Sequence, residues 1–324
     1  MKKRLRRDKI GAYEDNAFLL KVLLMTTVPI ILNQTVYSIS SFLDSVLMNQ
    51  IFDYKGVEEL VRRTMFGRYS GKYRLMTNVP IAIASSIGMA TLPSIVQAFT
   101  QKNKELLHGR IAQAIKLNML IAFPCAGGMA VLAAPIMQFV FGDTGEALNM
   151  TSRMMYIGAA SIIFFAYSTA TNSILQGVNR MRVPVIHGVI SLAVYLVLDV
   201  VLLLFTPLGV YSLVVGNMVF PLVISILNWR KLKKETGYVQ ELDRTFLRIG
   251  LCTVFMAVLS LLIYRGMFFV TKGSNAISLC AAIALAMVIY FIMLIMFRAV
   301  TEEELLDMPM GARLVRLAKK LRLM

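Results

Sequence analysis

The chain has 324 residues, 57% of them hydrophobic and 16% charged, with a formal net charge of +16. Its mean hydropathy of +0.68 is too high for an ordinary soluble domain. The apolar runs exceed the roughly 18 to 20 residues that a helix needs to cross a bilayer. Because Lys and Arg concentrate in the loops and tails between these runs, the positive charge indicates a membrane topology and no nucleic-acid partner.

Apolar segments along the chain predict an all-α, polytopic bundle of about eight transmembrane helices. An even number of spans places both termini on one side of the membrane. Most basic loops fall on that side, which identifies it as the cytoplasm. The predicted segments are residues 17–48, 73–99, 110–140, 147–176, 183–206, 208–230, 246–271 and 274–298.

The first outer loop departs from this charge pattern, because it carries an excess of Lys and Arg. Residues 56–69 alternate charged side chains with Val57, Leu60, Val61 and Met65 at helical spacing. This spacing predicts a surface helix that lies in the membrane interface.

The two ends of the chain are basic rather than apolar. Residues 1–16 form a basic segment that we expect in the cytoplasm. Residues 301–324 begin with a capping box of Thr301 and Glu304 and continue with an apolar face beside several Arg and Lys residues. This pattern predicts an amphipathic helix on the anionic lipids of the inner leaflet, with a partner-binding helix as the alternative.

Two of the long apolar helices carry polar stripes. A polar side chain that faces lipid without a partner costs several kcal/mol, so each stripe should face a bundle interior or a water-filled cavity. The first stripe consists of Asn33, Tyr37, Ser41 and Asp44, and the second of Arg74, Asn78 and Ser85, in both cases at helical spacing.

Sequence motifs of catalysis are missing from the chain. It contains no Walker loop, no HExxH, no nucleophile elbow and no cluster of Cys and His. We therefore expect no enzyme activity, no metal centre and no cofactor. Any transport would draw on an ion gradient, the membrane potential or the gradient of the substrate.

Several short motifs, in a characteristic order, carry a family resemblance. The motifs are Phe66-Gly-Arg-Tyr69, Tyr73-Arg-Leu-Met76, the run from Asn172 to Val185, Pro207-Leu-Gly209 and the run from Thr301 to Pro309. With these motifs the chain resembles the multidrug/oligosaccharidyl-lipid/polysaccharide (MOP) flippase superfamily, and more closely the branch that contains stage V sporulation protein B and the MurJ-type lipid II flippases.

The resemblance implies the second lobe of a MOP/MATE-type transporter plus two extra helices, in a bacterial plasma membrane. Residues 17–235 would be the six-helix lobe and residues 244–300 the two additional helices. The first lobe would then come from the same gene or from a partner chain.

The function that the resemblance implies is translocation of a lipid-linked oligosaccharide or peptidoglycan precursor, by rocking of two lobes around a cavity. The alternatives are a cation-coupled multidrug exporter of the same superfamily, and a non-transporting membrane scaffold or truncated fragment.

By the same resemblance, Arg74 points into the cavity and meets the pyrophosphate of the lipid substrate, unless it merely snorkels to the interface. Asp44 would pair with Arg74 or bind a coupling cation, or be an ordinary helix-end carboxylate. Asp199 lies inside an apolar run, where an ionisable residue needs a partner or stays protonated. Asp44 and Asp199 are therefore the candidates for ion coupling.

Three amides and two cations complete the candidates. Asn33, Gln34 and Asn78 would donate hydrogen bonds to the headgroup or to neighbouring helices. Lys116 and Arg153 lie near membrane ends, where snorkelling accounts for both.

Overall fold

A computed structural model of the protein describes residues 16–301, with only some of the side chains between residues 16 and 33. The predicted basic segment and amphipathic tail lie outside the described residues, apart from Asn16 and Thr301. All regular structure within the described range is helical. The helices are α1 (Asn16–Tyr54), α2 (Glu59–Arg68), α3 (Arg74–Thr100), α4 (Lys104–Val131), α5 (Ala133–Phe141), α6 (Gly145–Gly158), α7 (Ala160–Gly177), α8 (Arg182–Phe205), α9 (Tyr211–Thr236), α10 (Arg248–Val270) and α11 (Asn275–Met296).

Membrane spans follow from helix length and composition. Among the described residues, six helical stretches are long and apolar enough to cross a bilayer, and the bent pair of α6 and α7 adds a seventh. Helix α1 has 39 residues and at 1.5 Å per residue is about 58 Å long, enough for a further span. The prediction of an all-helical membrane bundle is confirmed, with six or seven spans among the described helices that are long and apolar enough.

Two predicted segments are each divided into two helices. The segment 110–140 breaks at Leu132, between α4 and α5. The segment 147–176 bends by 42° between α6 and α7. At that bend Gly158 lies against the Tyr73 side chain so closely that a Cβ at position 158 would overlap the tyrosine hydroxyl. The apolar pattern of the sequence does not predict such a break, because the segments on both sides of it are apolar.

The predicted surface helix is present as α2, but it is not a separate element. It runs through a π-helical turn at Tyr69–Tyr73 into α3, and together they form one helical stretch. Acidic neighbours neutralise several of its basic residues, because Arg62 pairs with Asp53, Arg63 with Glu59 and Lys72 with Asp143. Ion pairing therefore offsets part of the excess positive charge of this loop.

Packing places α3 beside α4 and α7, α7 beside α9, and α8 beside α9 and α1. Helix α10 packs on α4 and α11, and α11 also contacts α5. A large apolar cluster, which includes Ile115, Met119, Ile162 and Cys252, joins α4, α7 and α10.

Candidate functional site

A cavity of about 450 Å³ lies between α1, α3 and α7. Most of its lining residues are polar, and polar side chains within a membrane bundle need water, a polar ligand or another polar group as a partner. The lining residues are Gln34, Tyr37, Ser38, Ser40, Ser41, Ser70, Arg74, Asn78, Ile81, Ser85, Met89, Phe165, Thr169, Asn172, Ser173 and Gln176.

Both predicted polar stripes contribute to this cavity. Tyr37 and Ser41 of the first stripe line it, as do Arg74, Asn78 and Ser85 of the second. The Asn33 side chain lies outside the described residues.

Helix α7 supplies a third wall that the sequence analysis missed. Asn172 and Gln176 stand four residues apart and line the same cavity. That spacing is the same signal that revealed the other two stripes.

Arg74 and Asp44 form an ion pair across the gap between α3 and α1. The Arg74 Nη1 lies 2.9 Å from Asp44 Oδ2. The Asp44 side chain is 2% exposed, whereas that of Arg74 is 15% exposed and reaches the cavity wall. The pairing expected for Asp44 is therefore present, and Arg74 is held beside the cavity instead of extending freely to an interface.

Tyr69 strengthens this pair from the π-helical turn. Its hydroxyl donates to Asp44 Oδ2 at 2.9 Å and also lies 3.3 Å from the Leu213 carbonyl oxygen. The Arg74 guanidinium carbon stands 6.0 Å from the centre of the Tyr69 ring, within cation–π range. Tyr69 also stacks on Tyr73, with ring centres 5.7 Å apart. Two fully buried tyrosines thus fix the position of the ion pair.

Asp199 lies close to this cluster, on α8. It is completely buried, and neither of its carboxylate oxygens has a hydrogen-bond partner among the described residues. The carboxylate packs against Gly216 of α9, where a Cβ would overlap it. Asp44 is near enough to interact electrostatically with Asp199, and its own Oδ1 is buried without a hydrogen-bond partner in the described chain. The structure therefore brings the two candidate ion-coupling carboxylates into one region.

A chain of hydrogen bonds leads from the cavity through the bundle, and sequence reasoning did not identify it. Asn172 Nδ2 donates to the Tyr37 hydroxyl at 3.1 Å, and Asn228 Nδ2 donates to Asn172 Oδ1 at 2.8 Å. Asn228 Nδ2 also donates to Thr171 Oγ1 at 2.9 Å, and Asn228 Oδ1 lies 2.7 Å from His187 Nδ1. Because an amide oxygen only accepts, His187 must carry its proton on Nδ1.

Gln34 and Asn78 differ from these buried amides. Both side chains are exposed and line the cavity. Their amide groups are therefore positioned to meet a ligand or water within the cavity.

The MurJ lipid II flippase family model matches residues 69–280, from the π-helical turn to the first part of α11. The chain belongs to the MurJ family. Curated relatives agree with this assignment. Stage V sporulation protein B of Bacillus subtilis is 22% identical over 301 residues, which cover 90% of this chain and 55% of the relative. A probable lipid II flippase MurJ of Bdellovibrio bacteriovorus is 28% identical over 223 residues, covering 67% of this chain and 42% of the relative.

Solved structures show the same fold. A lipid II flippase MurJ in an inward closed conformation matches with a TM-score of 0.65 at 16% identity, over 88% of this chain and 56% of that one. A MATE transporter in complex with MaD3S matches with a TM-score of 0.57 at 18% identity, over 93% of this chain and 68% of that one. The resemblance to the MOP superfamily is confirmed, and these relatives are transporters, not enzymes.

The chain spans about half the length of the MurJ-family relatives that it matches. The described helices, the family match and the MATE-like fold together show a multi-pass membrane protein.

Proposed function

We propose that this chain is one part of a flippase that translocates a lipid-linked saccharide or peptidoglycan precursor by alternating access. Residues 17–235 form a six-helix lobe around the cavity, and residues 244–300 add two helices. The lobe rocks against a second lobe and carries the polar headgroup through the cavity, while the lipid tail stays in the bilayer.

The position of Arg74 carries this proposal. Its guanidinium lies on the wall of a polar cavity and has an acidic partner on one side only. A guanidinium offers a planar set of donors that fits the oxygens of a pyrophosphate, and the pairing is strong where little water competes. Asp44 orients Arg74, and the exposed amides of Gln34 and Asn78 supply hydrogen bonds to the saccharide.

The test replaces Arg74 in a strain whose own flippase is depleted. Arg74→Ala should abolish complementation, while Arg153→Ala, which removes an exposed arginine of α6 remote from the cavity lining, should leave growth intact. Membrane levels of both variants are compared by immunoblot. Normal growth of the Arg74→Ala strain would exclude Arg74 from substrate binding.

A multidrug exporter of the same superfamily is the weaker candidate. A cavity for cationic drugs needs unpaired acidic groups, but the Asp44 carboxylate beside this cavity is already paired with Arg74. The arginine on the wall favours an anionic ligand instead.

We also propose that Asp44 and Asp199 take part in ion coupling. Three carboxylate oxygens of these residues are buried without hydrogen-bond partners among the described residues. A carboxylate in such surroundings is costly unless it is protonated or meets a cation. The oxygen donors fit a proton or an alkali cation, which would supply the driving force for transport.

The coupling proposal is tested by thermal unfolding of the purified protein in detergent. Sodium chloride, compared with choline chloride at equal ionic strength, should raise the midpoint of the native protein by several degrees, because a ligand stabilises the state that binds it. Asp199→Asn should remove this difference. Equal midpoints of the native protein in both salts would exclude sodium at these carboxylates.

A second lobe, from the same gene or from a partner chain, is the expected partner. An immunoblot of native membranes with an antibody against residues 301–324 measures the size of the protein. A band near 36.2 kDa means that the other lobe is a separate chain. A band heavier by roughly 20 kDa, about six spans with their loops, means that both lobes belong to one chain.

For localisation, we propose the bacterial plasma membrane with both termini in the cytoplasm. The support is the excess of Lys and Arg in the loops on the side of the two termini. Accessibility of cysteines introduced into the loops, measured with an impermeant thiol reagent, tests this orientation.

A further inference from the structure

The proline in α4 leaves one backbone carbonyl without its helical donor. Pro124 lies inside α4 and has no N–H, so the Leu120 carbonyl oxygen cannot accept the usual bond from residue 124. The proline ring also crowds that carbonyl, and helices commonly bend at such a position. Within a membrane bundle the carbonyl needs another donor, because a buried polar group without a partner is costly.

Tyr290 of α11 supplies this donor. Its hydroxyl donates to the Leu120 carbonyl oxygen at 3.0 Å. Tyr290 is 8% exposed and Leu120 is 7% exposed, so little water competes for the bond. The two residues are 170 positions apart in the sequence, and their bond links α11 directly to α4. The hydroxyl therefore takes the place of the N–H that Pro124 lacks.

Helix α10 and the turn before it contact α4 on either side of the proline. Gly127 lies so close to Thr253 of α10 that a Cβ at position 127 would overlap the threonine methyl group. Phe123 packs edge to face on Phe246, just before α10, with ring centres 6.3 Å apart. Contacts from both additional helices therefore converge on the part of α4 around Pro124.

Helix α4 in turn supports the walls of the candidate site. It packs on α3 and α7, and both of these helices line the cavity. A change in the bend at Pro124 would shift one half of α4 against them. The contacts around Pro124 thus connect the two additional helices to the cavity walls.

We propose that Tyr290 is a positioning residue, whose hydroxyl holds the proline bend of α4 and so fixes the helix behind the cavity walls. The role is specific to the proline, because an N–H at position 124 would occupy the Leu120 carbonyl and make the hydroxyl dispensable. This inference goes beyond the proposed function and does not depend on it.

A double-mutant cycle tests the proposal by thermal unfolding of the full chain in detergent. Tyr290→Phe removes only the hydroxyl and should lower the midpoint by about 2 to 6 °C, since a buried carbonyl loses its partner. Pro124→Ala restores the N–H at position 124. In that background Tyr290→Phe should change the midpoint by less than about 1 °C.

Tyr264→Phe is the matched control. The Tyr264 hydroxyl donates to Asn275 Oδ1 at 2.9 Å, a side-chain acceptor that the proline does not affect. This substitution should lower the midpoint by the same amount in both backgrounds. Pro124→Gly also restores the N–H but leaves the helix free to bend, and it provides the second background if Pro124→Ala does not fold.

Hydrogen–deuterium exchange in the same samples locates the effect. Tyr290→Phe should raise the exchange rate of peptides from residues 118–128 at least about threefold and leave peptides of α8 unchanged. Three results would each overturn the proposal: no loss of stability on Tyr290→Phe, an equal loss with and without Pro124, or exchange that rises equally in α4 and α8.

Discussion

Arg74 and Asp44 are joined at 2.9 Å across two helices that otherwise frame an open cavity. The two partners differ in their access to water, since the Asp44 side chain is 2% exposed and that of Arg74 is 15% exposed. Loss of the arginine leaves a buried carboxylate, whereas loss of the carboxylate leaves an arginine that can still reach the cavity. The pair is therefore asymmetric, and substitution of Arg74 should affect stability differently from substitution of Asp44.

Arg74→Gln should destabilise the protein more than Asp44→Asn does. In the first variant the buried Asp44 carboxylate keeps the hydrogen bond from the Tyr69 hydroxyl but loses its ion pair. Breaking a buried pair in this way costs about 3 to 5 kcal/mol. Asp44→Asn should cost less, because water in the cavity solvates Arg74. Thermal unfolding in detergent measures the order of the two midpoints.

The double variant Arg74→Gln, Asp44→Asn is the control for this pair. It should be more stable than Arg74→Gln alone, because no unpaired charge stays buried. Additive losses would show that the two residues do not stabilise each other.

Gly216→Ala should disturb the site by moving Asp199. A Cβ at position 216 would overlap the Asp199 carboxylate, and overpacking of this kind costs about 1 to 3 kcal/mol. Gly128→Ala is the matched change, since Gly128 also lies within a helix but has no atom within 4 Å of the position that a Cβ would take. That variant should be neutral or slightly stabilised. Equal midpoints of the two variants would contradict the close packing at Gly216.

Asn228→Ala should loosen the hydrogen-bond chain between His187 and Tyr37. Asn228 is fully buried and serves three partners, so its loss leaves buried polar groups unpaired at a cost of about 1 to 3 kcal/mol or more. Asn49→Ala removes one exposed amide that bonds only its own helix, and should change stability by less than about 0.5 kcal/mol. Indistinguishable melting curves for the two alanine variants would argue against a structural role for this chain of hydrogen bonds.

Lys72→Ala should destabilise the end of the bundle where α3 begins and α5 ends. Lys72 pairs with Asp143, whose side chain is 4% exposed and otherwise accepts from Thr151 at 2.9 Å. We expect a loss of about 1 to 3 kcal/mol. Arg63→Ala breaks a pair whose side chains are 74% and 63% exposed and should have almost no effect. Limited proteolysis of the loops before α3 and after α5 compares the two variants, and equal cleavage rates would speak against a structural role for Lys72.

The spans and two walls of the cavity follow from the sequence alone. Apolar length predicts a helix in a bilayer, and polar residues at helical spacing mark a face that avoids lipid. Tyr37 and Arg74 were found in this way. The third wall, on α7, was not predicted. Its Asn172 and Gln176 have the same helical spacing but lie among many small polar residues.

Contacts between helices could not be predicted from the periodicity of the sequence. Asp199 was recognised as unusual, but its neighbours Gly216 and Asp44 lie on other helices. His187 belongs to no sequence motif, and its partner Asn228 is 41 residues away. Such pairings depend on how helices dock, and a single sequence holds no direct record of that.

The π-helical turn at Tyr69–Tyr73 makes the aromatic and basic cluster sensitive to chain length. Removal of one residue converts such a turn into an ordinary helical turn and rotates everything on one side of it by about 100°. Tyr69 would then leave Asp44, while Arg74 stayed in place. Gly71, at the middle of the turn, has open space around it, so a different side chain fits there. A deletion at position 71 would not be tolerated, because the site depends on the number of residues in the turn more than on the identity of the central residue.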